Sequence, residues 1–144
     1  MHKAQAHPPF IAHNQVRMHD TDMAGILYFA RQFRFANDAW EDLMEKEGLF
    51  FNFLFKENDY TFVTVHAEAD YAAPLHVGDK LQIHVHIGHI GTTSFTLCHA
   101  IYKDKTNFVG SVKTVHVTID RKLRSKIPIP ENLRISLQKY YRPD

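Results

Sequence analysis

The chain predicts an α+β fold in which one long helix lies across a curved antiparallel sheet. Between Ala30 and Glu47 apolar residues recur at three- and four-residue steps, the repeat of one buried helix face. From Tyr60 to Ile119 the pattern turns β-like, with side chains alternating along successive short segments. Each break between those segments carries turn residues: Pro74, Gly78-Asp79, Gly91 and the segment Asp104 to Asn107. A sheet followed end to end in this way needs a partner layer, and the single helix supplies it.

At 144 residues the simplest organisation is one domain spanning residues 1–144. Hydrophobic residues make up 44% of the chain, enough to bury a core. Seventeen Lys and Arg against sixteen Asp and Glu leave a net charge of +1, so no polyanion-binding footprint shows and no nucleic-acid partner is expected. Cys98 is the lone cysteine, which excludes an intrachain disulfide and an all-cysteine zinc site. It stands in an apolar strand pattern, as a buried structural thiol does. Met1 to Pro9 lacks the apolar core of a signal peptide, and no apolar run approaches the ~20 residues of a membrane span. The expected location is the cytoplasm, with no transmembrane segment.

In chain order, Gln15 to Met18 is expected as a short strand leading into an acidic turn. The helix comes next, with Phe29, Phe33, Ala36, Trp40, Leu43 and Met44 on one face, broadened by Phe35 and Ala39, and Gly48 as its stop. The aromatic stretch Phe50 to Phe55 suits a pocket wall, a core cover or a partner contact. Strands are then expected over Thr61–Tyr71, Lys80–Gly88, Thr93–Tyr102 and Phe108–Ile119. In the second, Leu81, Ile83, Val85 and Ile87 share one face and Lys80, Gln82, His84 and His86 the other. Ile127-Pro128-Ile129-Pro130 closes the sheet region, and Glu131 to Tyr141 is expected as a short terminal helix.

The chemistry concentrates in His19-Asp20-Thr21-Asp22-Met23-Ala24-Gly25-Ile26-Leu27-Tyr28-Phe29. Two acids and a glycine precede the helix, whose N-terminal N–H groups and dipole stabilise negative charge. A carboxylate beside such a helix end suits attack on a carbonyl. Asp and Asn are also common turn formers and helix caps with no catalytic role.

This motif, with the Trp40 helix after it, resembles the hotdog-fold acyl-CoA thioesterases, and within them the 4-hydroxybenzoyl-CoA and Tol-Pal-associated thioesterase branch. Tyr71-Ala72-Ala73-Pro74-Leu75, Gly78-Asp79, Gly91 with Ser94-Phe95, and Ile127-Pro128 come after it in family order. The resemblance implies a hotdog fold and hydrolysis of an acyl- or aryl-CoA thioester to free acid and CoA. It puts the catalytic carboxylate, as general base or nucleophile, on Asp22, and a turn-shaping role on Asp20. The carbonyl-polarising donor falls on the Phe29 backbone N–H. Gly25, Ile26 and Tyr28 of the same motif are the implied substrate contacts, Gly25 because the turn needs backbone freedom and close approach. Some relatives carry a histidine where this chain has Phe29, or a tyrosine where it has Met18. No cofactor is implied, coenzyme A being part of the substrate. The implied assembly is a homodimer with shared active sites, stacking into a homotetramer. Thr92, Thr93 and Ser94 are then candidate contacts from the partner. His66, on a strand expected to cross the helix, is a candidate lining residue of the acyl pocket. Arg121 to Lys126 is a basic stretch suited to CoA phosphates or to plain solvation.

Eleven histidines raise a rival reading. His84 and His86 lie at i, i+2 on one strand face and can chelate. Ile90 and Gly91 stand where a cupin-type motif would place its glutamate ligand, so no metal site is expected. The alternative function is a non-catalytic hotdog or β-barrel module binding an acyl ligand or a metal.

Overall fold

The apolar alternation of Leu81, Ile83, Val85 and Ile87 builds the centre of the molecule: all four are at most 2% exposed. They lie on strand β3 (Lys80–Ile90) of a five-stranded antiparallel sheet seen in a computed structural model that describes residues 7–49 and 59–143. The other strands are β1 (Phe10–Gln15), β2 (Tyr60–Tyr71), β4 (Ser94–Lys103) and β5 (Asn107–Asp120), in the spatial order β1-β3-β4-β5-β2. Helix α1 (Gln32–Lys46) crosses one face, and a short helix α2 (Glu131–Gln138) covers the end of β3. The sheet is curved around α1 and does not close into a barrel. The aromatic stretch Phe50 to Phe55 lies outside the described residues.

The expected helix is present, with two refinements. A 3-10 turn, Phe29–Arg31, precedes α1, so the regular helix starts at Gln32. Its end has a physical cause: Gly48 takes φ +77°, its N–H donates to the Glu45 carbonyl at 3.0 Å, and the Leu49 N–H donates to the Met44 carbonyl at 2.8 Å. That pair of bonds is the Schellman arrangement, which glycine favours because it lacks a Cβ. The most buried face of α1 is Phe35, Ala39, Leu43 and Met44, each at 0% exposure. Phe29 and Phe33 sit beside it rather than on it.

The first strand differs from expectation. It spans Phe10–Gln15, paired with β3 from Phe10↔Val85 to Gln15↔Lys80, and not Gln15–Met18. The chain leaves the sheet after Gln15 because the Asp20 carboxylate accepts the Arg17 N–H at 2.8 Å and winds Met18–Asp20 into a 3-10 turn. Val16 exchanges backbone bonds with Asp79 and Gly78 at 3.0 and 2.9 Å rather than continuing the ladder with β3, and it is buried, while Met18 is 79% exposed. Strand β3 runs past Gly88 to Ile90 through a bulge, and α2 ends at Gln138, after which Tyr140 and Arg142 bond to the backbone of Ile87.

One polar side chain fastens helix to sheet. Gln32, at 1% exposure, donates from Nε2 to the Asp70 carbonyl at 2.9 Å and to the Ser111 carbonyl at 3.1 Å. It fits only because Gly110 leaves the space. A Cβ there would lie 2.6 Å from the Asp70 oxygen and 2.8 Å from Gln32 Nε2. Gly110→Ala is therefore expected to destabilise the fold by about 1–3 kcal/mol through overpacking, measured as a lowered urea midpoint at unchanged m-value.

Candidate active site

The acidic turn is a small closed loop. Thr21 and Leu27 form an antiparallel bridge, the Asp22 N–H donates to the Ile26 carbonyl at 3.0 Å, and the Gly25 N–H donates to the Asp22 carbonyl at 3.0 Å. Gly25 has φ +79°, a conformation other residues rarely adopt, so its place in the motif is a backbone requirement. The loop is tied outward as well. Ile26 bridges His76, and the Leu27 N–H donates to the Leu75 carbonyl at 2.8 Å. Ile26 is half-buried, whereas Gly25 and Tyr28 are exposed.

The two acids do different work. Asp20 is fully buried and receives a forked pair from Arg34: Nε to Oδ1 at 2.8 Å and Nη2 to Oδ2 at 2.5 Å. Burial alone would raise its carboxyl pKa, but the Arg34 and Arg17 N–H bonds outweigh that and hold it below the ordinary value. Arg34 goes on to Asp38 Oδ2 at 2.9 Å and to the Gln15 carbonyl at 3.2 Å, joining the turn, helix and first strand. Asp22 is exposed. Its Oδ1 accepts the Ala24 N–H at 2.8 Å, which orients the carboxylate and leaves the second oxygen with no bond to a described residue.

Phe29 opens the 3-10 turn at the head of α1, and its N–H makes no hydrogen bond to a described residue. The Phe29 carbonyl is held from the other side by the Tyr71 hydroxyl, which donates at 2.6 Å. The Phe29 ring is 62% exposed and leans on Tyr28 at 4.9 Å between centroids.

One turn beyond Phe29 a cavity of about 280 Å³ opens between α1 and the sheet. Phe33, Ala36, Asn37 and Trp40 form its helix wall, and Thr64, Ala67, Leu97, His99, Thr114 and His116 its sheet wall. His66 does not line it. A β-bulge at Val65, between the pairs Thr64↔His116 and His66↔Val115, reverses the alternation of β2. Ala67 turns inward in consequence, and His66 faces out to Glu68 at 3.1 Å. Regular alternation conceals such a bulge, which is why the sequence pointed to His66 and missed Thr64.

Thr92, Thr93 and Ser94 form the β3–β4 turn at the Ile90 end of β3, while the acidic turn lies by its Lys80 end. Eleven residues of strand separate the two ends by about 30 Å. Within one chain these residues do not meet Asp22. The Thr92 and Thr93 carbonyls accept the Ile129 and Thr118 N–H groups at 2.8 and 2.9 Å, which fixes the turn.

The sequence did not place the two histidines of the cavity wall there. His99 is 3% exposed, its Nδ1 3.3 Å from the Val112 carbonyl, with the Ala36 carbonyl of α1 also near the ring. Burial pushes its pKa down to about 4, against the pull of those carbonyls. Burial likewise pushes His116 down to about 4. His84 lies on the other face, against Tyr102 and 3.2 Å from Gln82 Oε1. Among the described residues no group of three or more His, Cys, Asp or Glu is arranged to hold a metal, and no helix is long and apolar enough to cross a membrane.

The model of the thioesterase-like superfamily matches residues 16–137, and the chain belongs to that superfamily. Its one long helix in a curved five-stranded sheet is the hotdog fold, and the protein is a thioester hydrolase. The chain is 32% identical over 129 residues to the 1,4-dihydroxy-2-naphthoyl-CoA hydrolase of Prochlorococcus marinus (strain NATL2A), covering 85% of this chain and 83% of the relative. It is 32% identical over 124 residues to the enzyme of the same name from Nostoc punctiforme, covering 86% and 83%. The crystal structure of the 1,4-dihydroxy-2-naphthoyl-CoA thioesterase from Synechocystis superposes with a TM-score of 0.85 at 27% identity, over 93% of this chain and 98% of that one. The thioesterase superfamily that the acidic motif pointed to stands, while these relatives are naphthoyl-CoA hydrolases rather than members of the Tol-Pal-associated branch it also suggested.

The buried histidines set the acid side of the stability profile. Each ring is neutral in the fold down to about 4 but titrates near 6.5 when unfolded, so the unfolded chain takes up more protons in between. Stability is expected to fall as pH drops from 6.5 to 4, by up to about 1.4 kcal/mol per pH unit for each ring. The Asp20 contribution, present above 3.8, is lost only at lower pH. Urea denaturation across this range, with His116→Phe flattening the slope, checks the assignment.

Proposed function

We propose that the protein hydrolyses an acyl-CoA thioester, with Asp22 as the catalytic carboxylate and the Phe29 N–H as the oxyanion donor. The observation that carries this reading is the pairing of an oriented, exposed carboxylate with an N–H that donates to no described residue, at the head of a helix whose next turn lines a cavity. A thioester carbonyl placed at Phe29 would run its acyl group one helical turn along α1 into that cavity. Asp22 takes a proton from water as the water oxygen adds to the carbonyl carbon, and the charge formed on the carbonyl oxygen rests against the Phe29 N–H and the helix dipole. The tetrahedral centre then collapses, the C–S bond breaks, and CoA leaves as the thiolate. The cavity, about 280 Å³, is at the small end of ligand pockets and suits one or two aromatic rings better than a long acyl chain. The relatives' substrate, a dihydroxynaphthoyl-CoA, is such a compact aryl group.

A complete site draws on two protomers in this reading. Thr92–Ser94 lie at the far end of the sheet from Asp22, and β2 presents a twelve-residue edge with no strand beyond it among the described residues, Val63 and Val65 being exposed. Strand pairing across that edge in a homodimer brings opposite ends of two sheets together. The site then needs no cofactor beyond the coenzyme A of the substrate.

Asp22→Asn is expected to lower kcat for aryl-CoA substrates at least about 100-fold with the melting temperature unchanged, monitored by thiol release. Turnover within a few-fold of wild type would remove Asp22 from the mechanism. Label found in Asp22 after single-turnover hydrolysis in ¹⁸O-water identifies the carboxylate as nucleophile, water then having opened the mixed anhydride at the Asp22 carbonyl.

A further inference from the structure

The sheet wall of the cavity is polar where a pocket for a bare hydrocarbon has no need to be. His116 lies between two hydroxyls: Nδ1 is 3.2 Å from Thr64 Oγ1, and Nε2 is 2.9 Å from Thr114 Oγ1. The ring cannot turn freely. It stacks on Phe95 at 5.3 Å and on Trp40 at 6.1 Å, with Phe62 edge-on at 6.0 Å. Three elements thus hold the ring plane while β2 and β5 hold the two hydroxyls, and all three members of the chain line the cavity.

We propose that Thr64, His116 and Thr114 form a subsite that recognises a ring hydroxyl on the acyl group. This rests on the thioesterase reading above and adds the chemical class of the acyl group. A neutral imidazole has one N–H and one bare nitrogen. If Nδ1 carries the proton, it donates to Thr64, whose own O–H is then free to donate into the cavity. Nε2 meanwhile accepts the Thr114 O–H, which leaves the Thr114 oxygen free as an acceptor. In the other tautomer the roles exchange. Either way the wall offers one donor and one acceptor, at opposite ends of the imidazole, and burial keeps the ring in the neutral form this requires. A phenolic hydroxyl can take a hydrogen bond at the donor end or give one at the acceptor end, so it can engage either. An unsubstituted ring would leave both hydroxyls desolvated with nothing to bond, at a cost that acts as discrimination.

The test uses the full chain and four CoA thioesters: 2-naphthoyl-CoA and its 1-hydroxy, 4-hydroxy and 1,4-dihydroxy derivatives. Wild type is expected to prefer at least one hydroxylated substrate over 2-naphthoyl-CoA by about tenfold or more in kcat/KM. Thr64→Val and Thr114→Val keep the side-chain shape, and His116→Phe keeps the stack. Each is expected to lower kcat/KM for the preferred substrate by a larger factor than that for 2-naphthoyl-CoA, and His116→Phe is expected to erase the preference. Equal kcat/KM for all four substrates in wild type, or equal losses on hydroxylated and bare substrates in the variants, overturns the subsite and leaves the thioesterase reading intact. If wild type cleaves none of the four, aryl-CoA hydrolysis fails instead. Titration of the free acids then decides the subsite: tighter binding of a hydroxynaphthoate than of 2-naphthoate, lost in His116→Phe, upholds it, and equal binding overturns it.

Discussion

The buried pair of Asp20 and Arg34 is the constraint on which the arrangement of the site depends. Asp20 belongs to the turn, Arg34 to the helix, and the same guanidinium reaches Gln15 at the end of the first strand. A carboxylate with no exposure tolerates burial only while its cation stays, so the three segments move as one body. Asp22 and Phe29 hang from this joint, two residues after the acid and five before the base. Their separation is set by an ion pair that includes neither of them.

The second constraint runs along the helix–sheet seam. Gln32 ties the start of α1 to β2 and β5, and Tyr71 ties the preceding turn to β2. Between these ties and the packed cluster around Leu43, Met44 and Leu133, Phe35 and Ala39 pack on the sheet while the flank of α1 carrying Phe33, Asn37 and Trp40 leaves a gap, and the cavity occupies it. The gap is lined by small residues at Ala36 and Ala67 and by hydroxyls and imidazoles on the strands. The same layer that supplies the core at one end of α1 therefore supplies a ligand-sized space nearer the other.

Much of this was legible in the chain. The three- and four-residue repeat located the helix, and Gly48 ended it for the reason a left-handed glycine ends helices. The turn-shaping role of Asp20 came with the family resemblance, which sets it on the first acid of the motif, and the structure bears it out. What sequence concealed has two sources. The β2 bulge shifts every later side chain to the other face, so His66 and Ala67 exchange places, and alternation carries no sign of it. Long-range bonds hid the rest. The first strand ends where it does because of a carboxylate five residues on, and His116 gains its meaning from Thr64, 52 residues away in the chain, and from Trp40 on the helix.

The two edges of the sheet are unequal. On one side β1 is six residues long, and the C-terminal chain at Tyr141 takes up the next stretch of β3. On the other side β2 runs for twelve. A strand of comparable length can add on only one border of such a sheet. Two copies that met long border to long border would use up both and leave the six-residue borders outside. Among the described residues the inequality thus favours doubling of the sheet over its growth into a fibre.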